Sequence, residues 1–220
     1  MSRRPRTLKA DPRQARSRDT LQALLAATEH LLELHHFEDI SIHQILAASG
    51  VSTGSFYARF HRKDDLLPHL YQNYSDDLRA RMAADTAPVR WARLPLAELI
   101  RALVTRAVRA YRERRGLLRA VALLARSRPR AVAKSALRER DDQYRAAATL
   151  LLARRAEIRH PAPELAVQFG IFFVLAACRD KILFAGAPHP ASIAVTDEQL
   201  ADELARALCA YLTIPSAPSP

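Results

Sequence analysis

Glycine and cysteine are scarce in this sequence, and each shortage excludes a class of protein. The 220 residues include only 5 glycines, too few for the many tight turns of a β-sandwich or barrel. They include 2 cysteines, Cys178 and Cys209, which are far apart and form no CxxC or Cys/His pattern. A disulfide framework and a structural zinc site are therefore not expected.

Long hydrophobic runs are also missing. The longest apolar stretch, residues 165–178, ends at the charged triplet Arg179-Asp180-Lys181 and falls short of the roughly 20 residues of a membrane span. The first ten residues, MSRRPRTLKA, lack the apolar segment of a secretory signal. These absences predict a cytoplasmic protein with reduced thiols.

The abundant residues favour helices. Ala, Leu and Arg number 41, 31 and 30, and all three are good helix formers. With 49% hydrophobic and 26% charged residues, the chain has enough apolar surface to bury a core. We therefore expect an all-α protein.

The net charge of +11 is concentrated in two segments. Residues 1–18 carry seven basic side chains and one acid, on a stretch with two prolines, which is typical of a flexible basic arm. Residues 101–140 carry thirteen basic side chains and two acids. Because Arg outnumbers Lys 30 to 4 in the whole chain, this second segment is equally explained as solvated helix faces.

Two capping signals and a glycine predict three helices near the N-terminus. Apolar residues recur every three or four positions over 16–34, as in an amphipathic helix. Ser41 and Gln44 form a capping box that begins a second helix, and Gly50 supplies the left-handed residue that ends it. Ser52 caps a short third helix. Two short helices around a glycine turn predict a helix-turn-helix.

The remainder of the chain predicts a larger helical region. A fourth helix begins near Lys63, and another begins at Pro95 and is interrupted at Gly116. Further helices are predicted at 117–126, 130–158, 163–186 and 197–213, separated by prolines. The predicted parts are an arm over 1–16, a helix-turn-helix domain over 17–65, a C-terminal helical domain over 66–213 and a flexible tail over 214–220.

The stretch GVSTGSFYARFHRKDDL, which begins at Gly50, resembles the DNA-binding signature of the TetR family of bacterial transcriptional regulators. The residues at the family's spacing are Gly50, Val51, Ser52, Gly54, Tyr57, Phe60, Lys63 and Leu66. The resemblance covers about residues 17–66. It implies a homodimeric regulator, most simply a repressor, which is released from a pseudo-palindromic operator by a small-molecule effector. No cofactor is expected, and the basic segment 101–140 favours a small apolar or anionic effector.

The third helix carries most of the predicted DNA contacts. Its apolar residues are expected to point into a small core, so its polar residues face outward, where a major groove can receive them. Gly54 removes a side chain at the point of close approach, with ordinary packing as the alternative. The resemblance implies that Tyr57 and Lys63 hold phosphates. The predicted DNA-binding residues are Ser41, Ser52, Thr53, Gly54, Ser55, Tyr57, Arg59 and Lys63, and Ser41 has helix capping as its alternative role.

Two further sites are predicted in the C-terminal domain. A dimer interface is expected on the last two long helices, where apolar residues exceed what one chain can cover: Val167, Ile171, Val174, Leu175, Leu200, Leu204, Leu208 and Tyr211. An effector pocket is expected to be lined by aromatic side chains from several helices: Tyr74, Trp91, Tyr111, Tyr144, Phe169 and Phe172. Core packing is the alternative for each aromatic residue.

Two other functions compete with the regulator. An enzyme is not expected, because five widely spread glycines cannot form a P-loop, a GxGxxG motif or a nucleophile elbow. The histidines show no HxH or HExxH spacing, so no metal site is predicted. A helical module that binds small molecules or proteins without binding DNA remains the alternative, and retention of Tyr57, Lys63 and the basic arm argues against it.

Overall fold

The computed structural model describes residues 12–85, 91, 93–128, 134–185 and 193–214. In this part of the chain the fold is all-α, as predicted, with no strand. The helices are α1 (Pro12–Leu34), α2 (Ile42–Ser49), α3 (Thr53–Tyr57), α4 (Leu66–Asp85), α5 (Leu96–Glu113), α6 (Arg115–Ser127), α7 (Lys134–Leu152), α8 (Pro163–Cys178) and α9 (Asp197–Thr213). None of them is long and apolar enough to cross a membrane.

The predicted start and end signals of the helix-turn-helix are confirmed. The Ser41 hydroxyl accepts from the backbone N–H of Gln44 at 3.2 Å, and the Gln44 side chain accepts from the backbone N–H of Ser41 at 2.8 Å. Gly50 closes α2 with φ of 67°, the left-handed conformation that a glycine adopts without strain. Ser52 accepts from the backbone N–H of Ser55 at 3.2 Å and begins α3.

Several helix limits differ from the prediction. Helix α1 begins at Pro12, so residues 12–16 are helical and do not belong to the arm; residues 1–11 lie outside the described part. Gly116 lies inside α6, and the break falls at Arg114. A Cβ on Gly116 would come 2.3 Å from the carbonyl oxygen of Leu32, so this glycine lets α6 contact α1. The predicted helix 130–158 ends at Leu152, and 163–186 ends in a π-turn over Arg179–Leu183.

Two hydrophobic cores organise the described residues. The first contains Leu24, Ile40, Ile45 and Phe56 of the N-terminal helices, and it is completed by Leu66, Leu67 and Leu70 of α4 and by Leu117, Ala120 and Leu124 of α6. The second lies among α5, α7, α8 and α9. The two predicted domains are thus joined through α4 and α6, which contribute to the core of the N-terminal unit.

Ion pairs reinforce the contact between α6 and the N-terminal unit. Arg119 lies 3.0 Å from Glu38, Arg114 lies 3.6 Å from Glu29, and Arg128, which follows α6, lies 2.7 Å from Asp64. Each pair is partly exposed, so each contributes only ~0.2–1 kcal/mol to stability. Together they fix the orientation of α6 against the helix-turn-helix.

Candidate nucleic-acid interface and helical-domain cavity

The third helix presents nearly all of its side chains to solvent. Between Ser52 and Arg59 only Phe56 is buried, with 0% of its surface exposed, and its ring anchors α3 in the first core. The other positions of this stretch are exposed. A five-residue helix held by one aromatic anchor therefore offers a continuous polar face that the protein itself does not cover.

Serine hydroxyls form the N-terminal edge of this face. The Ser52 and Ser55 hydroxyl oxygens lie 2.9 Å apart, and Ser41 makes a similar local contact with Gln44. All three serines are exposed; Ser41 and Ser52 cap α2 and α3, and Ser55 lies in the first turn of α3. Each oxygen therefore keeps capacity for another hydrogen bond, and capping is compatible with a contact to DNA.

Gly54 has open space on its outer side. A Cβ built on this residue has no neighbour within 4 Å, and its φ lies outside the left-handed region. Neither packing nor backbone strain in the described structure requires a glycine here. The alternative that Gly54 serves internal packing is therefore not supported.

Tyr57 and Arg59 lie at the C-terminal end of the same face. Tyr57 is 51% exposed, and its ring meets Phe56 edge-on with centroids 5.2 Å apart. Arg59 is exposed, and its Nη2 donates to the carbonyl of Ser17 at 2.7 Å and to the Ser17 hydroxyl. This contact joins α3 to the first turns of α1, and it leaves the other N–H donors of Arg59 available.

The ammonium group of Lys63 contacts the backbone of the turn between α1 and α2. Its ammonium group donates to the carbonyl oxygens of Phe37 at 2.6 Å, Glu38 at 3.2 Å and Ile40 at 2.6 Å, and it lies 4.7 Å from the centroid of the Phe37 ring. An ammonium has three N–H donors, so these carbonyls occupy all of them. Lys63 therefore fixes the turn between α1 and α2, and its expected phosphate contact stays a prediction.

The predicted dimer residues mostly face the interior of their own chain. Val167, Val174, Leu200, Leu204 and Leu208 are buried in the second core, because α9 packs against α5 and α8 of the same chain. A Cβ on Gly170 would come 2.3 Å from Leu208, so α8 and α9 are closely packed. Ile171 and Leu175 are only partly exposed and line the cavity described below.

The exposed apolar residues of α8 and α9 are mainly different ones. We call them the α8/α9 apolar face: Leu165, Phe169, Phe172, Phe173 and Tyr211, exposed to 62%, 52%, 62%, 41% and 37%. Tyr211 is the one predicted interface residue among them. Three of the aromatic rings are in contact, with the centroid of Phe169 5.7 Å from that of Tyr211 and 6.2 Å from that of Phe172. Exposed apolar clusters of this kind mark interaction surfaces.

Two adjoining cavities lie between α4, α5, α6, α7 and α8. The outer one has a volume of about 710 Å³ and the inner one about 180 Å³. Tyr111 and Tyr144 line both, Tyr74 lines the inner one, and Phe172 lines the outer one, as expected. Tyr71 lines both and was not predicted, although it lies one helical turn from Tyr74.

Two predicted pocket residues lie elsewhere. Trp91 is buried in the second core, and its carbonyl oxygen accepts from the buried guanidinium of Arg154. Phe169 points outward on the α8/α9 apolar face. The sequence alone does not show which aromatic residues face the cavities. Helix α8, for example, is apolar almost all round, so its periodicity does not indicate which side faces the core.

Cys178 is a buried thiol of the second core. Burial raises the pKa of the Cys178 thiol to about 12, so it remains protonated. No three His, Cys, Asp or Glu side chains of the described residues converge in a way that could hold a metal ion.

Comparison with known proteins agrees with this architecture. Residues 24–70 match the family model described as bacterial regulatory proteins, tetR family. A tetR-family regulatory protein from Rhodococcus RHA1 superposes with a TM-score of 0.63 at 14% identity, covering 90% of this chain and 98% of that one. A tetR-family transcriptional regulator from Streptomyces coelicolor gives 0.61 at 21%, covering 88% and 80%.

A third solved structure, RolR in complex with the ligand resorcinol, superposes with a TM-score of 0.52 at 16% identity, covering 93% of this chain and 98% of that one. No curated protein sequence matches the chain. Residues 24–70 thus match the N-terminal segment of the tetR family of bacterial regulatory proteins, and the chain shares the fold of solved structures from that family.

Proposed function

We propose that the protein is a cytoplasmic homodimeric repressor that binds a pseudo-palindromic operator through α3 and releases it when a small molecule occupies the cavities. The observation that carries the proposal is the exposed polar face of α3. Only Phe56 of the stretch from Ser52 to Arg59 is buried. A short helix with one anchor and outward polar groups is suited to enter a major groove.

The proposed contacts follow from position on this face. Thr53 and Ser55 are short enough to reach base edges, and Gly54 lets the helix backbone approach the groove. Tyr57 and Arg59 are placed to hold phosphates, together with the hydroxyl of Ser41 at the N-terminus of α2. Lys63 supports these residues indirectly, because it fixes the turn that precedes α2.

Dimerisation is proposed through the α8/α9 apolar face. Four of its five residues lie on one helix, and three of those are phenylalanines that are at least 41% exposed. Pairing α8 and α9 with their symmetry mates would cover this face and form a four-helix interface. A two-fold dimer presents two recognition helices, which matches an operator with two half-sites about one helical turn apart.

Effector release is proposed to act through α6. Leu117, Ala120 and Leu124 of this helix pack in the first core, while Leu118 and Val121 line the outer cavity. A ligand that displaces α6 therefore also acts on the core that anchors α3. Helix α4 has the same double contact, with Leu70 in the core and Tyr74 in the inner cavity.

The ligand must prefer the arrangement that cannot bind DNA, because equal affinity for both arrangements shifts nothing. A hundredfold loss of operator affinity needs about 2.7 kcal/mol of coupling. The complex of RolR with resorcinol supports ligand binding in a fold of this type.

Selection of bound duplexes from a random library tests the proposal. The full chain is expected to enrich an inverted repeat with half-sites about one helical turn apart. The control is a variant in which Thr53, Ser55 and Tyr57 are all replaced by Ala, which loses the proposed base and phosphate contacts of α3 and should enrich no sequence. Failure of the wild-type protein to enrich any duplex would favour the alternative of a helical binding module without DNA-binding activity.

A further inference from the structure

The two cavities differ in chemistry, and the difference defines a ligand. The inner cavity is lined mainly by apolar side chains, including Ile100, Val104, Leu151 and Val174 of the second core, and it is partly open to solvent. Its volume of about 180 Å³ is similar to the roughly 150 Å³ of a cavity that holds a benzene ring. It is therefore suited to one aromatic ring or a short alkyl chain.

Most of the charged side chains line the outer cavity, and Arg106 is the one charged residue among the described residues that line the inner cavity. Arg126, Arg145 and Arg179 come from the end of α6, from α7 and from the residue after α8, and all three lie at its rim. Asp141 is the one acid that lines either cavity in the described structure. An organic cation would meet this single carboxylate among several guanidinium groups, so the rim favours an anion.

These guanidinium groups are not neutralised within the described part of the chain. None of the three arginines forms an ion pair with a carboxylate of the described residues, whereas most other arginines near this region do. Arg126 stacks on Phe184, with the guanidinium carbon 5.7 Å from the ring centroid. A planar guanidinium held in this way can bind a carboxylate through two parallel hydrogen bonds.

The tyrosines between the two cavities are suited to the same ligand. Burial raises the pKa of Tyr74 to about 12 and also raises the pKa of Tyr111 above its ordinary value. Both phenols therefore stay neutral and can donate hydrogen bonds to an anion without repelling it.

We propose that the cavities bind an amphipathic monocarboxylate, with its apolar body in the inner cavity and its carboxylate at Arg126, Arg145 and Arg179. The proposal rests on the proposed function, in which these cavities are the effector site. The binding chemistry itself depends only on the lining residues.

Calorimetric titration of the full chain with matched probes tests this ligand class. The anionic probes are octanoate and 4-butylbenzoate, and the cationic probes of the same shape are octylammonium and 4-butylbenzylammonium. At least one carboxylate is expected to bind ten times or more tighter than its ammonium counterpart. Replacing the three arginines by Gln should weaken the carboxylate by about tenfold to a hundredfold, the loss expected for charge-assisted hydrogen bonds.

Two further variants show whether carboxylate binding depends on the three cavity arginines. Arg101→Gln removes an exposed arginine that pairs with Asp202 at 3.4 Å outside the cavities, and it should leave carboxylate binding unchanged. Arg145→Glu should reverse the preference toward the ammonium probes. The ligand class is overturned if neither carboxylate binds, if the ammonium probes bind as tightly, or if the triple Gln variant binds as the wild type does.

DNA binding by the unliganded protein is measured separately, so the two proposals can fail independently. Carboxylate binding without any DNA binding would contradict the proposed function and support the ligand class. DNA binding without a carboxylate preference would overturn the ligand class alone.

Discussion

At the scale of single residues, the fold does not require a glycine at position 54, whereas the proposed DNA contact does. The Cβ position of Gly54 is open to solvent, and its backbone is helical. Nothing in the described structure prevents another residue here. The absence of a side chain is explained by an approaching surface, which in the proposed function is the floor of the major groove.

Gly54→Ala should stabilise the protein and weaken its DNA binding. Alanine gains about 0.5–1 kcal/mol over glycine inside a helix. Urea unfolding should show this gain, and anisotropy with the selected operator should show a weaker affinity. The contrasting variant is Gly116→Ala, whose Cβ would come 2.3 Å from the Leu32 carbonyl and which should destabilise the fold. Unchanged operator affinity in Gly54→Ala would show that the groove does not reach this residue.

Lys63→Met should reduce stability with little direct effect on DNA affinity. Methionine keeps the apolar stem but removes the ammonium donor from the carbonyl oxygens of Phe37, Glu38 and Ile40, of which that of Phe37 still accepts from the backbone N–H of Ile40 at 3.3 Å. The free energy of unfolding should fall by about 1–3 kcal/mol. Lys181→Met is the control, because Lys181 donates to the single carbonyl of Ile193, and its removal should cost less. If the Lys63→Met variant is as stable as the wild type but binds DNA weakly, the result would support the predicted phosphate contact of Lys63.

At the scale of elements, local signals predicted the N-terminal helices well. The capping box at Ser41 and the left-handed Gly50 depend on residues within four positions of each other, so a single sequence contains the whole signal. The contacts of Lys63 with the turn over 37–40 depend on residues more than twenty positions apart. No spacing rule predicts such a contact.

The faces of α8 show the other limit of sequence reasoning. Periodicity identifies which side of a helix is apolar, but α8 is apolar on nearly every side. Val167 and Val174 face the core, and Phe169 and Phe173 face outward. All four are apolar residues of the same helix, so the sequence does not distinguish them. Only the positions of α5 and α9 decide between these faces.

The basic arm remains a prediction at this scale, since residues 1–11 lie outside the described part. Deleting residues 2–11 removes four basic side chains and one acid, and it leaves the helical residues from Pro12 intact. Operator affinity should fall, and the slope of log affinity against log salt should fall by about 0.9 for each phosphate that the arm neutralises in the full chain. Equal affinity and equal slope for the truncated and full chains would show that the arm does not touch DNA.

At the scale of the whole molecule, two recognition helices require two chains. Phe169→Glu combined with Phe173→Glu places charges on the α8/α9 apolar face without entering the core. The wild type should scatter light as a dimer of the 24.6 kDa chain, and the variant as a monomer with weaker operator binding. Leu34→Glu, at a residue 70% exposed on α1, is the control and should stay dimeric. A wild-type monomer at micromolar concentration would contradict the dimer.

The central claim is that α3 reads DNA, and the affinity of the selected operator for variants of its exposed face tests this most directly. Thr53→Val with Tyr57→Ala removes a hydroxyl and a ring that are exposed and outside the hydrophobic core. Thr105→Val, at an exposed threonine of α5, is the matched control. The account predicts that the double variant binds about a hundredfold or more weakly, the sum of one base contact and one phosphate contact, and that the control binds normally. Equal operator affinity of the double variant and the wild type, both folded, would contradict it.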